Sequence, residues 1–260
     1  MLAVTFLGTG TSIGVPMILC GCPVCRSEDP RDCRFRSSIY VETPSCCWVI
    51  DTGAEFRLQA LRAGIRKVDA AVYTHSHADH IMGFDDLRRF STANGDRMPV
   101  YAAPETMENL SSVFFYAFSG QARFPGYVHP EPHLISGPFH LGENEIIPVE
   151  LEHGRAHVLG FLIREERRAV LAYVSDCKAV SPEGMETLRG VDTLILGTPS
   201  YHSHPTHLSL SEGIALARSL GARQTFLTHL SHDLGHAQTE KKLPEKVFLA
   251  YDGLRLFLGH

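Results

Sequence analysis

The chain has 260 residues, of which 44% are hydrophobic and 20% are charged, and its formal net charge is −5. This amount of apolar material is enough to form a sizeable core. The acidic balance argues against a general nucleic-acid-binding protein, whose surface would be basic. It does not exclude a small phosphorylated substrate, because bound metal ions can supply local positive charge.

The N-terminal residues predict no targeting segment. Residues 1–8 are apolar but too short for a signal sequence, and no basic region accompanies them. No run approaches the ~20 apolar residues that a membrane-spanning helix needs. We therefore expect a cytoplasmic protein with no membrane partner. Five of the seven cysteines fall between Cys20 and Cys46, which in a cytosolic enzyme indicates metal ligation more than disulfide bonds.

The first half of the chain predicts short strands separated by loops. Residues 8–14 and 15–35 are loops because they are rich in Gly, Pro and Cys. One helix is predicted over 56–61, ending near Gly64. Runs of β-branched and aromatic residues predict strands at 4–7, 38–42, 47–51 and 69–73.

The second half repeats this alternation, with an amphipathic helix predicted over 210–220. Strands are predicted at 146–151, 159–163, 169–174, 193–196, 224–227, 247–250 and 254–258. Strands followed by helices in both halves predict an α/β fold with two β-sheets faced by helices.

An aromatic stretch follows a helical segment that starts at Pro104. Phe114, Phe115, Tyr116 and Phe118 are close together in sequence, and such clusters are more often core than substrate-binding surface. The whole region 104–128, including Phe124 and Tyr127, leaves a lid or a dimer contact open.

The densest chemical signal is a six-residue motif directly after the strand at 69–73. His75, His77, Asp79 and His80 supply imidazole and carboxylate groups, which suit Zn²⁺, Mn²⁺ or Fe²⁺. An extended loop can direct His75 and His77 at one ion, and the next bend can direct Asp79 and His80 at a second. The alternative is a solvated polar loop.

This His-x-His-x-Asp-His pattern resembles the metallo-β-lactamase superfamily, and the match continues from Leu7 to Asp252. The resemblance implies a metallo-β-lactamase αββα sandwich, with two mixed β-sheets flanked by helices, as a single domain over residues 1–260. It also implies that Asp51 orients the motif without binding metal. The implied ligands are, for metal one, His75, His77 and His153; for metal two, Asp79, His80 and His229; and, bridging both ions, Asp176.

A second metal site is predicted in a Cys-rich loop at about 18–35. Cys20, Cys22 and Cys25 form a C-x-C-x-x-C pattern, which can supply three of the four ligands of a structural zinc. Cys33 is the nearest candidate for the fourth. The chain also resembles the PhnP-type cyclic-phosphate phosphodiesterases, in which a histidine three residues after the last catalytic ligand completes a similar site. That resemblance implies His232.

His207 lies between the implied ligands Asp176 and His229. In the PhnP group a corresponding histidine sits beside the metals without binding them, so the resemblance implies a general acid or a phosphate-stabilising group. The alternative is a surface histidine next to a helix that Ser209 caps. We expect His207, Asp79 and Asp176 to form the catalytic set.

These expectations lead to a dinuclear metal-dependent hydrolase. Two divalent ions (Zn or Mn) about 3.5–4 Å apart can lower the pKa of a shared water and hold a bridging hydroxide for attack on phosphorus. The expected substrate is a small phosphate ester, with cyclic phosphates included. Nucleic acid is disfavoured as a partner, and a homodimer is left open.

Three other functions fit parts of the sequence. A tRNA 3′-processing nuclease of the same superfamily would carry a long basic arm, and no such insertion is present. A lactonase or thioesterase could use the same metal cage for acyl hydrolysis. A metal-loaded scaffold resembling the PQQ-biosynthesis protein B shares the Gly- and Cys-rich loops, but that group lacks the complete motif.

The remaining candidate residues receive weaker interpretations. The Gly-rich loop at 8–12 could approach the substrate through its backbone, since glycine permits a close approach. Cys46, Cys47 and Cys177 are interpreted as small apolar residues. Histidines without an assigned role are His133, His140, His204 and His260, and those left undecided are His157 and His202.

Overall fold

A computed structural model describes residues 1–95, 97–119 and 126–259. Within these residues the first sheet has seven strands, antiparallel at one side and parallel at the other. Their spatial order is β15 (Arg255–Leu258), β1 (Leu2–Gly8), β2 (Ser38–Glu42), β3 (Cys47–Ile50), β4 (Ala70–Val72), β5 (Met98–Ala102) and β6 (Pro130–Leu134). Pairing changes from antiparallel to parallel at β3, so the sheet is mixed.

The second sheet repeats this arrangement, and pairing becomes parallel after β10. The spatial order is β11 (Ala179–Val180), β8 (Asn144–His153), β9 (Ala156–Glu165), β10 (Arg168–Val174), β12 (Thr193–Gly197), β13 (Gln224–Thr228) and β14 (Val247–Leu249), while β7 (Phe139–Leu141) pairs with β8. The ends of the parallel strands β10, β12 and β13 therefore meet at one edge.

The described residues form eight α-helices, several of which cover the outer faces of the two sheets. They are α1 (Phe56–Ala63), α2 (Ala78–Ile81), α3 (Arg88–Ala93), α4 (Pro104–Val113), α5 (Phe115–Phe118), α6 (Pro182–Leu188), α7 (Leu210–Leu220) and α8 (His236–Glu240). Helix α7 begins with a capping box between Ser209 and Glu212 and ends at Gly221, whose φ of 67° is the left-handed conformation that glycine adopts without steric penalty. Within the described ranges, none of the helices is long and apolar enough to cross a bilayer.

Three apolar clusters account for the layers. The central one places Val4, Phe6 and Trp48 from the first sheet against Phe161 and Tyr173 from the second. A second cluster lies between the second sheet and helices α6 and α7, and a third lies between the first sheet and helices α1 and α4. Alternate residues of each strand thus face different layers. The architecture is the α/β fold of two mixed sheets flanked by helices that the sequence predicted.

Two strands of the first sheet were not predicted, and proline explains why. Strand β6 contains Pro130 and Pro132, and β5 contains Pro99. Proline removes a ladder donor and normally argues against a strand, but it is tolerated at a sheet edge such as β6. Helix α4 begins at Pro104, as expected.

The aromatic stretch after α4 packs only partly against the core, with Phe114 buried and Tyr116 and Phe118 half-buried. Phe114 and Phe118 pack on Phe84, with ring centroids 4.9 and 5.6 Å apart. Tyr116 donates a hydrogen bond to Asp85, while Phe115 is exposed. The expected lid or dimer contact falls partly on residues 120–125, including Phe124, which lie outside the described residues.

Candidate metal centre

The motif His75–His80 lies where β4 ends, and helix α2 begins within it. His75 Nε2 lies 2.9 Å from His77 Nδ1, and His80 Nε2 lies 3.2 Å from Asp79 Oδ2. The start of the helix separates the motif into two pairs of side chains, because Asp79 and His80 lie in the first turn while His77 precedes it. The loop therefore presents two neighbouring groups of ligand atoms.

Asp51 lies beneath this loop, fully buried and directly after β3. It accepts hydrogen bonds from the backbone N–H and hydroxyl of Thr74, at 2.9 and 2.8 Å. Its Oδ2 lies 2.7 Å from Nδ1 of His80. A carboxylate only accepts hydrogen bonds, so Nδ1 of His80 carries the proton. The orientation of His80 that results directs Nε2 towards Asp79 and Asp176.

His80 is surrounded by negative charge. Burial disfavours a charged imidazole, yet the carboxylates of Asp51, Asp176 and Asp79 outweigh burial and raise the pKa of His80 well above its usual range. His75 differs, because burial and the neighbouring charge of His80 lower its pKa well below the usual range.

The second sheet supplies three further side chains from the ends of its strands. His153 closes β8, Asp176 follows β10, and His229 follows β13. His153 Nδ1 donates to the carbonyl oxygen of Thr206 at 2.9 Å, which leaves Nε2 as its metal-facing atom. His229 Nδ1 lies 3.2 Å from the hydroxyl of Ser37.

The two carboxylate oxygens of Asp176 face different histidines. Oδ1 lies 3.2 Å from His229 Nδ1 and 3.6 Å from His80 Nε2. Oδ2 lies 3.8 Å from His153 Nε2 and 4.0 Å from His75 Nε2. Burial alone would raise the pKa of Asp176, but the charges of the surrounding histidines reverse the shift and hold it well below its usual range. One ionised carboxylate therefore contacts both halves of the cluster.

The cluster divides into two groups, and within each group the ligand atoms lie within 4.8 Å of one another. The first group is His75, His77 and His153, and the second is Asp79, His80, Asp176 and His229. Within the described residues, His80 Nε2 and Asp176 Oδ1 are buried and make no hydrogen bond, although each lies 3.2 Å from a side-chain atom of Asp79 or His229. Buried polar atoms are nearly always satisfied, so two unpaired atoms in one cluster require an explanation. Imidazole and carboxylate donors in this arrangement fit divalent cations.

His207 lies beside both groups. Its ring centroid is 4.6 Å from that of His153 and 5.1 Å from that of His229, and its ligand atom lies within 4.8 Å of those of His153 and Asp176. Burial and the charge of His229 lower the pKa of His207 to about 3. The position allows a role either as a further ligand or as a group that contacts the substrate.

His204 was not singled out by the sequence, yet it lies next to His207, with ring centroids 5.3 Å apart. The backbone N–H of Thr206 donates to His204 Nδ1 at 3.3 Å. Thr206 therefore orients two histidines, since its carbonyl oxygen also holds His153. No motif at this position indicates that role, which depends on the folded loop.

The thiolate cluster gathers Cys20, Cys22, Cys25 and His232, whose ligand atoms lie within 4.8 Å of one another. The sulfur atoms of Cys20 and Cys22 lie 3.3 and 3.4 Å from His232 Nδ1. A hydrogen bond from the Cys25 backbone, together with His232, lowers the pKa of Cys22 to about 6, which favours the thiolate. This donor set fits a tetrahedral zinc. Cys33 is exposed and lies outside the group.

The other cysteines and histidines lie elsewhere. Cys46 and Cys177 are buried, as expected of small apolar residues, and Cys47 is half-buried. His133 stacks on Tyr101, and His157 pairs with Glu150 at the surface. His140 and His202 are exposed, and His260 lies outside the described residues.

The Gly-rich loop after β1 has a packing explanation. A Cβ atom on Gly8 would overlap the carbonyl oxygen of Arg36, and one on Gly10 would lie 2.9 Å from that of Arg34. Thr9 donates to Asp252 through its backbone N–H and its hydroxyl, at 2.9 and 2.7 Å. The glycines allow two backbone segments to pack closely, and the approach of a substrate to this loop stays a prediction.

Comparison with known proteins identifies the family. Residues 48–230 match the model of the beta-lactamase superfamily domain. The chain belongs to the metallo-β-lactamase superfamily. Within it the chain is PhnP-like: a crystal structure of a diphosphatase from the PhnP family is 40% identical, with a TM-score of 0.90 over 99% of this chain and 98% of that one. The comparison supports the resemblance drawn from the His-x-His-x-Asp-His motif.

Two curated relatives of this metallo-β-lactamase superfamily member carry other names. An octanoyltransferase of Porphyromonas gingivalis is 33% identical over 260 residues, or 97% of this chain and 51% of that protein. A ribonuclease Z of Bradyrhizobium diazoefficiens is 32% identical over 114 residues, or 42% of this chain and 32% of that protein. The chain thus spans about half the length of the first relative, and the match to the second covers about a third of that protein.

Proposed function

We propose that this chain is a dinuclear metal-dependent phosphodiesterase that acts on a small phosphate ester. One observation carries the proposal: Asp176 directs one carboxylate oxygen at His229 and His80 and the other at His153 and His75. A carboxylate in that position would hold two ions, one on each side. Metal one is proposed to take His75, His77 and His153, and metal two Asp79, His80 and His229, with Asp176 between them.

When bound, such a pair of ions activates water and neutralises charge on a phosphoryl group. The chain's own residues fix the geometry. Asp51 sets the orientation of His80, and Thr206 sets that of His153, so each imidazole presents one nitrogen to its group. Asp79 and Asp176 supply negative charge that lets the site hold two cations without a large excess of positive charge.

His207 is proposed to contact the substrate and not a metal. Its ligand atom lies near those of His153 and Asp176, but His207 belongs to neither of the two ligand groups described above, and it lies on the loop that enters α7. From this position the neutral imidazole that the lowered pKa implies can donate a hydrogen bond to a phosphoryl oxygen. A bound phosphate beside it would raise that pKa and so allow His207 to pass a proton to the departing alkoxide.

The proposed substrate class rests on the PhnP-like relationship. The 40% identical relative is named a diphosphatase, which supports a reaction at a phosphorus–oxygen bond. The ribonuclease Z relative keeps nucleic acid as the main alternative, and the name of the octanoyltransferase belongs to a protein about twice as long. Acyl hydrolysis at the same metal cage is the other alternative.

The thiolate cluster is proposed to hold one structural zinc. Its four donors match a closed tetrahedral site, which has no open position for substrate. Zinc bound there would stabilise the fold, because only the folded chain brings the four ligands together. The single domain, the homodimer and the cytoplasmic location stay predictions.

A substrate panel tests the proposal. Purified protein loaded with Zn²⁺ or Mn²⁺ is assayed on bis(p-nitrophenyl) phosphate, ribose cyclic phosphates, dinucleoside polyphosphates, a precursor tRNA, a lactone and a thioester. Asp176→Ala and a surface variant, His157→Ala, are the matched controls. We expect hydrolysis of small phosphate esters that is lost in Asp176→Ala and kept in His157→Ala. Cleavage of the precursor tRNA alone, or of the lactone or thioester alone, would replace the proposed function.

A further inference from the structure

The segment after β13 carries proposed ligands for two separate metal sites. His229 belongs to the metal-two group, and His232, three residues later, belongs to the thiolate group. His229 has a φ of 55°, a backbone conformation that residues other than glycine rarely adopt. The surrounding structure must therefore hold this segment in place.

A buried arginine holds it. Arg34 is 1% exposed, and its guanidinium donates to the carbonyl oxygens of Ser231 at 2.8 Å and Leu234 at 2.6 Å. These carbonyls lie on either side of His232. The carboxylate of Asp32, 2.9 Å away, neutralises the charge, and Asp32 also accepts a hydrogen bond from the backbone N–H of His236 at 2.8 Å.

The backbone of Arg34 is fixed as well. Its N–H and carbonyl pair with Val15 at 2.7 and 3.0 Å, which places Arg34 in the strand-like stem of the Cys-rich loop. The side chain and main chain of one residue thus join that stem to the segment 229–236. A buried charge that loses its partners is costly, so Arg34 strongly restrains these carbonyls.

We propose that Arg34 is a positioning residue that couples the thiolate zinc site to metal two of the active site. This inference rests on the proposed dinuclear function. Zinc binding by Cys20, Cys22, Cys25 and His232 fixes Ser231 and His232 against Arg34, and the short link through Leu230 then fixes His229. Release of the zinc frees His232, and the restraint on His229 weakens.

The coupling has a direction that distinguishes it from general loosening. Metal two takes His229 from the restrained segment, whereas His75, His77 and His153 of metal one all lie elsewhere. Loss of Arg34 or of the thiolate zinc is therefore expected to weaken one active-site ion and spare the other. Thermodynamic linkage makes the effect reciprocal, so metal two also stabilises the thiolate zinc.

The test measures Mn²⁺ binding by electron paramagnetic resonance and calorimetry on the full chain with its thiolate zinc in place. Variants are Arg34→Lys and a matched control on the same loop, Arg31→Lys, whose side chain pairs with Asp29 at the surface. We expect Arg34→Lys to lower the affinity for one of the two Mn²⁺ ions by ~10–100-fold, the usual effect of removing a group that orients a metal ligand. Arg31→Lys should bind both ions as the wild type does.

The variant Cys22→Ser, made in both backgrounds, tests the route of the coupling. It should lower the affinity for the same Mn²⁺ ion in the wild-type background. In the Arg34→Lys background it should lower that affinity little further, because the connection is already broken there. If Arg34→Lys does not fold, Asp32→Asn removes the charge partner in a side chain of the same size and is judged by the same comparison.

Three results would overturn the inference: wild-type affinity at both ions in Arg34→Lys, equal weakening of both ions, or a Cys22→Ser effect that Arg34→Lys leaves unchanged. These readouts involve no substrate. A protein that binds Mn²⁺ as expected but hydrolyses no phosphate ester would refute the proposed function and leave the coupling in place. If the wild type binds a single Mn²⁺, the dinuclear proposal and the coupling to metal two both fail.

Discussion

The carboxylate of Asp51 lies 2.7 Å from Nδ1 of His80, and both side chains are fully buried. The contact fixes the ring of His80 and places negative charge behind it. In Asp51→Asn the side chain keeps its shape but loses the charge. We expect metal-two affinity to fall ~10–100-fold, as is usual when a partner of a metal-binding histidine is altered. Calorimetric titration of Zn²⁺ checks this, and unchanged affinity would contradict it.

The variant His207→Ala tests whether this residue acts in turnover or in metal binding. In His207→Ala we expect both active-site ions to remain while turnover slows by ~10²–10⁴, the usual contribution of a positioned acid or base. The loss should be larger on an alkyl phosphodiester than on a p-nitrophenyl ester, because p-nitrophenolate leaves without needing a proton. Steady-state rates on matched alkyl and aryl substrates measure the difference.

Other outcomes of that experiment would assign a different role to His207. Equal impairment of both substrates would make His207 a phosphate-holding group. A fall in metal content, measured by elemental analysis, would make it a ligand. Unchanged rates on every substrate would show that it has neither role.

The thiolate cluster is expected to retain its zinc when the active-site ions are removed by chelation. Elemental analysis after mild chelation should leave about one zinc per chain, because closed thiolate sites hold zinc tightly. Cys22→Ser and His232→Ala should each lose this zinc and lower the melting temperature. Cys33→Ser is the control and should keep it, because Cys33 is exposed and lies outside the cluster. Loss of zinc in Cys33→Ser instead would mean that the fourth ligand is misassigned.

Asp252 predicts a pH dependence of stability. Burial raises its pKa to about 6, although three hydrogen bonds from Thr9 and Phe35 favour the ionised form. The folded-state pKa therefore lies above the unfolded value, so the contribution to stability is present at pH 4 and is lost as the pH rises through 6. A shift of this size corresponds to about 3 kcal/mol.

The isosteric variant Asp252→Asn isolates the pH-dependent contribution of this carboxyl group to stability, since the amide does not titrate. Urea unfolding of both proteins at equal metal loading should show the stability difference moving by roughly 2 kcal/mol in favour of the variant between pH 4 and pH 7. A difference that stays constant with pH would show that the three hydrogen bonds hold the carboxylate ionised throughout.

Local sequence patterns predicted the parts of the fold that depend on local chemistry. Helix α7 has the predicted bounds, because the capping box at Ser209 and the glycine at Gly221 define both of its ends. Strands β5 and β6 were missed, because their stability comes from neighbouring strands that compensate for proline. Strand β8 is longer than predicted and ends on His153.

The candidate site was predictable to the extent that its ligands follow a dense motif. His75 to His80 indicate metal from their spacing alone, whereas His153, Asp176 and His229 were assigned only through the family resemblance. Thr206 and Arg34 were missed, because a threonine carbonyl and a lone arginine carry no pattern. Their roles exist only once residues far apart in sequence are brought together.

The proposed ligands come from both sheets, which has a consequence for how the molecule folds. His75 and Asp79 follow β4 of the first sheet, and Asp176 and His229 follow β10 and β13 of the second. Neither half of the chain alone can complete either ion site, so metal binds only the state in which the sheets have packed together. Bound ions then shift the equilibrium towards that state by mass action, and the melting temperature should rise with free Mn²⁺ concentration in the wild type but hardly at all in Asp176→Ala.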